Sequence, residues 1–267
     1  MKILRIAKFV VFFVSCGFPA LADKPLLTVY TYDSFTSDWG PGPAIETAFE
    51  KICECDLQFV GLDSSIGILG RIKLEGKNSK ADIALGLDTN LVHVAKETGY
   101  FAELPSKIKN IHVKNSSLPI EYADKVFMPF DWGWFGFVFN KNTLKKPPKS
   151  FQELLNMPNN IKIVIQDPRT STPGLGLLLW IKSVYGDKAI DYWRKLQPKI
   201  LTVTKGWSEA YALFLDGEAD MVLSYTTSPA YHLIAEENEN YDATVFAEGN
   251  YLQIEVAGML KKLQLQE

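Results

Sequence analysis

From residue 26 onward the spacing of apolar positions switches repeatedly between two and three to four, as expected for strands alternating with helices. Residues 26–32 read as a first strand, which ends in a turn-rich stretch running from Asp33 through Trp39, Gly40, Pro41, Gly42 and Pro43. Residues 44–52 carry apolar side chains three and four apart and predict a helix. A second strand follows over 57–62, then a helix over about 66–75 that Gly76 stops. A third strand over 81–87, with Ile83, Leu85 and Leu87 on one face, leads to a helix near 90–98. Alternation of this length predicts a parallel sheet covered on both faces.

Residues 128–140, MPFDWGWFGFVFN, break the rhythm with an aromatic, extended run that has no helical period. They predict a strand crossing from one lobe to another. After the Pro147-Pro148 turn a second α/β unit is expected. It has a helix over 150–155, a strand over 161–166, a loop DPRTSTPG and a helix over about 175–185. A helix over 188–196, a strand over 200–203, a helix over 208–215 and a strand over 220–224 follow, and 251–256 reads as a return crossover. Two lobes joined by two crossovers make a clamshell that closes on a ligand by a hinge. The first lobe would take residues 23–135 plus 250–267 and the second 136–249. Periodicity alone equally allows one doubly wound domain.

The first 22 residues have a different pattern: Lys2, Arg5 and Lys8, an apolar run over 9–16, then Ala20-Leu21-Ala22 before Asp23. This is the basic, apolar and small-residue order of a secretory signal peptide, and the apolar run is far shorter than the roughly 20 residues a bilayer span needs. Cleavage after Ala22 removes three cations and no acid, taking the formal net charge from −3 to about −6. A mildly acidic chain with no basic run has no electrostatic basis for nucleic-acid binding. Two cysteines then remain, Cys53 and Cys55, one residue apart. An oxidising compartment favours a disulfide, yet so short a ring is strained; a pair and two buried thiols both stand as readings. Metal binding has weaker support, since His93, His112 and His232 lie at no recognisable ligand spacing.

Two clusters could carry chemistry. In DPRTSTPG, hydroxyls and unpaired backbone N–H groups open a helix and suit an anion. Pro173 fits the helix start, and Gly174 lets a ligand approach the backbone. Ordinary N-capping by Ser171 or Thr172 is the competing reading. The second cluster is aromatic: Tyr30, Tyr32, Trp39, Trp132, Trp134, Trp207, Tyr225 and Tyr231 all fall at loop or strand ends. Such faces attract a cationic heteroaromatic ring, whereas the phenylalanines of 128–140 read as core. Gly206-Trp207-Ser208-Glu209-Ala210, with Asp220 and His232 beyond, is close to a hydrolase nucleophile elbow. Its last glycine is replaced by Ala210, and Ser208 is more simply a helix N-cap.

The segments LTVYTYDSFTSDWGPGP (27–43), EGKNSKADIALGLD (75–88), QDPRTSTPGLGLLLW (166–180), VTKGWSEAYALFLDGEADMVLSYTTSPAYH (203–232) and YLQIEV (251–256) closely resemble the periplasmic thiamine-binding proteins, solute receptors of ABC importers. The resemblance runs over about 26–256. It implies a type II periplasmic-binding-protein fold and no catalysis. Thiamine, thiamine monophosphate or thiamine diphosphate would be cargo rather than cofactor, handed to an inner-membrane permease and its ATPase, with the receptor periplasmic and monomeric. It assigns Ser171 to a phosphate site with Thr172 and Gly174 beside it, and Trp39, Trp207, Tyr225, Tyr231 and Tyr32 to an aromatic pocket. In the loop after the second strand, Asp63 and Ser64 stand where the family's Asp-Gly pair is expected one residue later. The family continues for several tens of residues past the position of Val256, so a truncated chain with a first lobe incomplete at its C-terminus is expected. A same-fold receptor for ferric iron held by tyrosines and a secreted hydrolase using Ser208 remain as alternatives.

Overall fold

The computed structural model describes residues 24–105 and 118–262; residues 1–23, where the signal peptide is expected, residues 106–117, which include His112, and residues 263–267 lie outside it. In the first half, β1 (Leu26–Tyr32) leads through a single turn α1 (Asp33–Thr36) to α2 (Gly42–Cys53), β2 (Asp56–Leu62), α3 (Ser65–Glu75), β3 (Ile83–Asp88) and α4 (Val92–Glu97). The crossover strand β4 (Phe127–Asn140) opens the second half. It continues with α5 (Phe151–Asn156), β5 (Ile163–Gln166), α6 (Thr172–Tyr185), α7 (Ala189–Leu196), β6 (Ile200–Thr204), α8 (Trp207–Leu215), β7 (Met221–Tyr225), α9 (Ser228–Ala235) and β8 (Tyr241–Ala243). β9 (Leu252–Met259) returns to the first half.

Local chemistry sets several boundaries. Pro43 lies in the first turn of α2, where its missing N–H costs nothing, and Glu54 ends that helix in the left-handed conformation. Ser64 caps α3 by accepting from Gly67 N at 3.1 Å, and Ser150 caps α5 by accepting from Glu153 N at 3.0 Å. The 14-residue β4 is bifunctional in the sheet. Phe127–Trp134 pair antiparallel with β9, whereas Phe135–Phe139 pair antiparallel with β7. Strand order is β2-β1-β3-β9-β4-β7-β5-β6, with β8 also on β4.

The sheet is therefore mixed, which corrects the expectation of a parallel one. β1 with β2 and β3, and β5 with β6 and β7, are parallel, but every pairing of β4 and β9 is antiparallel. The two crossovers traverse the sheet in opposing directions, and helix–strand alternation carries no information about them. Each half has its own core. Tyr30, Ile68, Ile72, Leu87, Phe127 and Val256 gather in one. Phe135, Phe137, Phe151, Leu154, Ile163, Leu177 and Trp180 gather in the other. Phe135, Phe137 and Phe139 of the crossover are thus core, as their composition predicted, whereas Phe130 is exposed and departs from that expectation. Cys53 and Cys55 form a disulfide. Among the described residues no helix is long and apolar enough to cross a membrane.

Candidate ligand-binding site

Where the two halves face each other, β-strand ends and helix N-termini enclose a cavity of about 290 Å³. Tyr32, Trp39, Asp63, Ser64, Ser171, Thr172, Trp207 and Tyr225 line it together, although they span nearly 200 residues of sequence. Gly174 and Tyr231 lie one layer back. A Cβ on Gly174 would stand 2.3 Å from Gln166 O, so this glycine allows α6 to approach the end of β5 closely. Tyr231 touches the cavity through Trp39, their ring centroids 6.2 Å apart.

Ser171 is the N-cap residue of α6, but its side chain makes no capping hydrogen bond, and both Ser171 and Thr172 are buried on the cavity wall. The hydroxyl that would ordinarily satisfy the helix end thus makes no such bond at the cavity wall, and the first-turn N–H groups add partial positive charge. The helix begins at Thr172, three residues before the predicted start, with Pro173 in its first turn. From the first half, Ser64 donates to Thr170 O and Asp63 pairs with Lys205, so both join the halves across the cleft.

Trp207 is held from behind. Its Nε1 donates to Ser224 Oγ at 2.8 Å, and its ring stacks on Tyr211 at 4.8 Å. Tyr211 OH in turn meets His232 Nε2 at 2.8 Å, and His232 Nδ1 meets Glu236 at 2.7 Å. Trp39 comes across from the first half, 6.4 Å from Trp207, and remains about half exposed. These contacts dissolve the hydrolase reading. His232 is buried behind Trp207, Asp220 accepts from Lys162 N at 2.7 Å, and Ser208 Oγ instead approaches Asp33 Oδ1 at 3.4 Å. The N-cap of α8 is Gly206, not Ser208, because the helix starts one residue earlier.

The cavity floor was not anticipated. Glu255 on β9 pairs in register with Asp131 on β4 and Asp88 on β3, placing three carboxyl groups in one rank across the sheet. Glu255 accepts from Tyr32 OH at 2.8 Å and from Gln253 Nε2 at 3.0 Å. Gln253 Nε2 also donates to Tyr225 OH at 2.8 Å. Burial, reinforced by the Asp131 charge, pushes the Glu255 carboxyl up to about 8. Burial pushes Asp88 up to about 6, against the lowering effect of its bonds from Asn90 and Leu91, and it raises Asp131 as well. Burial, then the Glu255 charge, also lifts the Tyr32 and Tyr225 hydroxyls far from ionisation. A signal did exist in the sequence: Glu255 is a carboxylate between Ile254 and Val256 in an apolar strand, a placement that needs partners.

The bacterial extracellular solute-binding protein family matches residues 41–254. The Thiamine-binding periplasmic protein of Salmonella typhimurium is 55% identical over 250 residues, covering 94% of this chain and 75% of the relative. Its Escherichia coli counterpart is 54% identical, covering 91% and 72%. Among solved structures, a periplasmic thiamin binding protein superposes with a TM-score of 0.85 at 54% identity, covering 90% of this chain and 74% of that one. Iron-bound HitA from Pseudomonas aeruginosa superposes at 0.72 with 18% identity, a likeness of fold alone. With a cleft of this construction between two α/β halves of type II periplasmic-binding-protein architecture, the chain belongs to the bacterial extracellular solute-binding proteins, in the group of the thiamine-binding periplasmic proteins.

Proposed function

We propose that this protein is a periplasmic receptor that closes on thiamine, thiamine monophosphate or thiamine diphosphate and delivers it to an inner-membrane ABC permease driven by an ATPase. The observation that carries the reading is the pairing, in one cavity, of a tryptophan wall with the uncapped Ser171 end of α6. A thiazolium or pyrimidine ring suits Trp39, Trp207 and Tyr225, with Tyr32 beneath and Tyr231 buttressing Trp39. A phosphate suits Ser171 and Thr172, with Gly174 holding the helix close and Asp63 and Ser64 closing the opposite edge. The lobes divide near Phe135 and Asn250, export uses cleavage after Ala22, and the receptor acts as a monomer without a cofactor. The naming of the relatives at 54–55% identity points to the same ligand class.

The ferric-iron alternative is opposed by the tyrosines. Tyr32 and Tyr225 are engaged by Glu255 and Gln253 and are raised far above their ordinary ionisation range, whereas iron would require phenolates. Titration of the full chain with thiamine monophosphate, followed by intrinsic tryptophan fluorescence, tests the reading. Saturable quenching is expected, and a flat signal together with no heat of binding would remove it.

A further inference from the structure

The cavity floor contains an acceptor that no described residue satisfies. Gln253 is almost completely buried, and its Nε2 is committed to Tyr225 OH and Glu255 Oε1, yet its Oε1 has no hydrogen-bond partner. A buried carbonyl oxygen left unpaired is costly and calls for a donor from whatever fills the space. Beside it lies Glu255, at the centre of the rank of three carboxyl groups. Among the described residues no lysine, arginine or histidine lines the cavity to neutralise them.

We propose that Gln253 and Glu255 form an acceptor subsite for the ligand's aminopyrimidine and for the thiazolium cation joined to it through one methylene. Gln253 Oε1 accepts an N–H of the exocyclic amine, and Glu255 becomes a carboxylate counter-ion when the cation enters. The inference rests on the thiamine reading and deepens it, because it says which end of the molecule meets the sheet: the amino heterocycle sits on β9 and any phosphate points to α6. The groups facing Glu255 are Tyr32 from β1, Asp88 from β3, Asp131 from β4, Tyr225 from β7 and Gln253 from β9 itself. Of these only Asp88 and Asp131 can act as bases, and Asp88, at about 6 against about 8 for Glu255, is the weaker one. On binding, the carboxyl O–H bond breaks, its electron pair stays on Glu255, and the proton leaves to solvent. Burial against Asp131 keeps that proton in place in the empty cleft near neutrality.

Calorimetric titration of the full chain with thiamine and with its oxo analogue, in which the exocyclic amine is replaced by oxygen, tests this. The titrations use buffers of contrasting ionisation heat between pH 6 and 9. Expected are release of close to one proton at pH 6.5, affinity for thiamine rising more than tenfold toward pH 8, and at least tenfold preference for the amine. Glu255→Gln should abolish proton release while retaining a cooperative melt, and Gln253→Leu should erase the amine preference. Tight thiamine binding with no proton release and equal affinity for the oxo analogue would overturn the subsite and leave the receptor reading intact. No binding of thiamine or its monophosphate would overturn both. If Glu255→Gln fails to fold, the buffer dependence of the unaltered chain still decides.

Discussion

At the residue scale, Trp207 combines the properties of an affinity anchor: its indole N–H is fixed by Ser224, its inner face rests on Tyr211, and its outer side meets the cavity. Trp207→Ala is expected to weaken thiamine binding by about 1–3 kcal/mol, with fluorescence or calorimetric titration as the measure. Ser171→Ala should act selectively. Losing one hydrogen bond to a charged group costs about 1.5–3 kcal/mol, so affinity for the monophosphate should fall at least tenfold while unphosphorylated thiamine is nearly unaffected; equal losses for both would place the phosphate elsewhere. Glu255 gives a stability signature independent of ligand. Its native carboxyl, raised to about 8 from an ordinary 4.5, holds a proton that the unfolded chain releases at lower pH. The native state therefore binds more protons between those values, and stability should decline as pH rises from about 4.5 to 8 and then level off. Urea melts across that range should show the slope, and Glu255→Gln should flatten its upper part, above about pH 6, while the raised Asp88 keeps a slope below it.

At the element scale, side-chain packing sets the geometry that places these residues. Gly86 in β3 has φ +98°, and a Cβ there would lie 2.4 Å from the Tyr32 ring. Gly86→Ala should thus displace Tyr32 from Glu255 as well as strain the backbone, at a cost of about 1–3 kcal/mol. A lowered Tm together with weaker thiamine binding is expected, and an unchanged affinity would detach Tyr32 from the site. Most elements could be read from the chain because their period spans several turns or alternations, as in α2, α3, α6 and β4. Two escaped. α9 has only eight residues, and its Leu233 and Ile234 face outward, so its apolar pattern names no buried side. β8 has three residues, too few to alternate. The aromatic and α6 sides of the cleft were visible because Trp, Gly, Pro and Ser cluster in loops. The rank of acids was not: Asp131 and Glu255 on the cavity floor and the fully buried Asp88 behind them become neighbours only through antiparallel register between strands far apart in sequence.

At the scale of the whole molecule, the contacts across the cleft describe a closed arrangement. Asp63 pairs with Lys205, Ser64 donates to Thr170 O, and Trp39 meets Trp207 and Tyr231, each contact joining the first half to the second. All of them must break if the halves swing apart on β4 and β9. The Asp63–Lys205 pair is largely exposed, and exposed pairs contribute about 0–1 kcal/mol. That is small for folding, but it acts directly on the balance between open and closed forms. Apparent affinity scales with the fraction of molecules that are closed. Lys205→Ala should therefore leave the melting temperature nearly unchanged, raise the radius of gyration of the ligand-free protein in X-ray scattering, and reduce thiamine affinity by no more than about fivefold, the equivalent of ~1 kcal/mol. Saturating thiamine should return the variant to the compact radius, because ligand contacts on both halves outweigh the lost pair. Salt offers a second check: above about 0.5 M the unaltered protein should approach the variant, since screening then removes the same attraction. A variant whose ligand-free radius and affinity both match the unaltered chain at low salt would show that the pair forms only after closure and does not drive it.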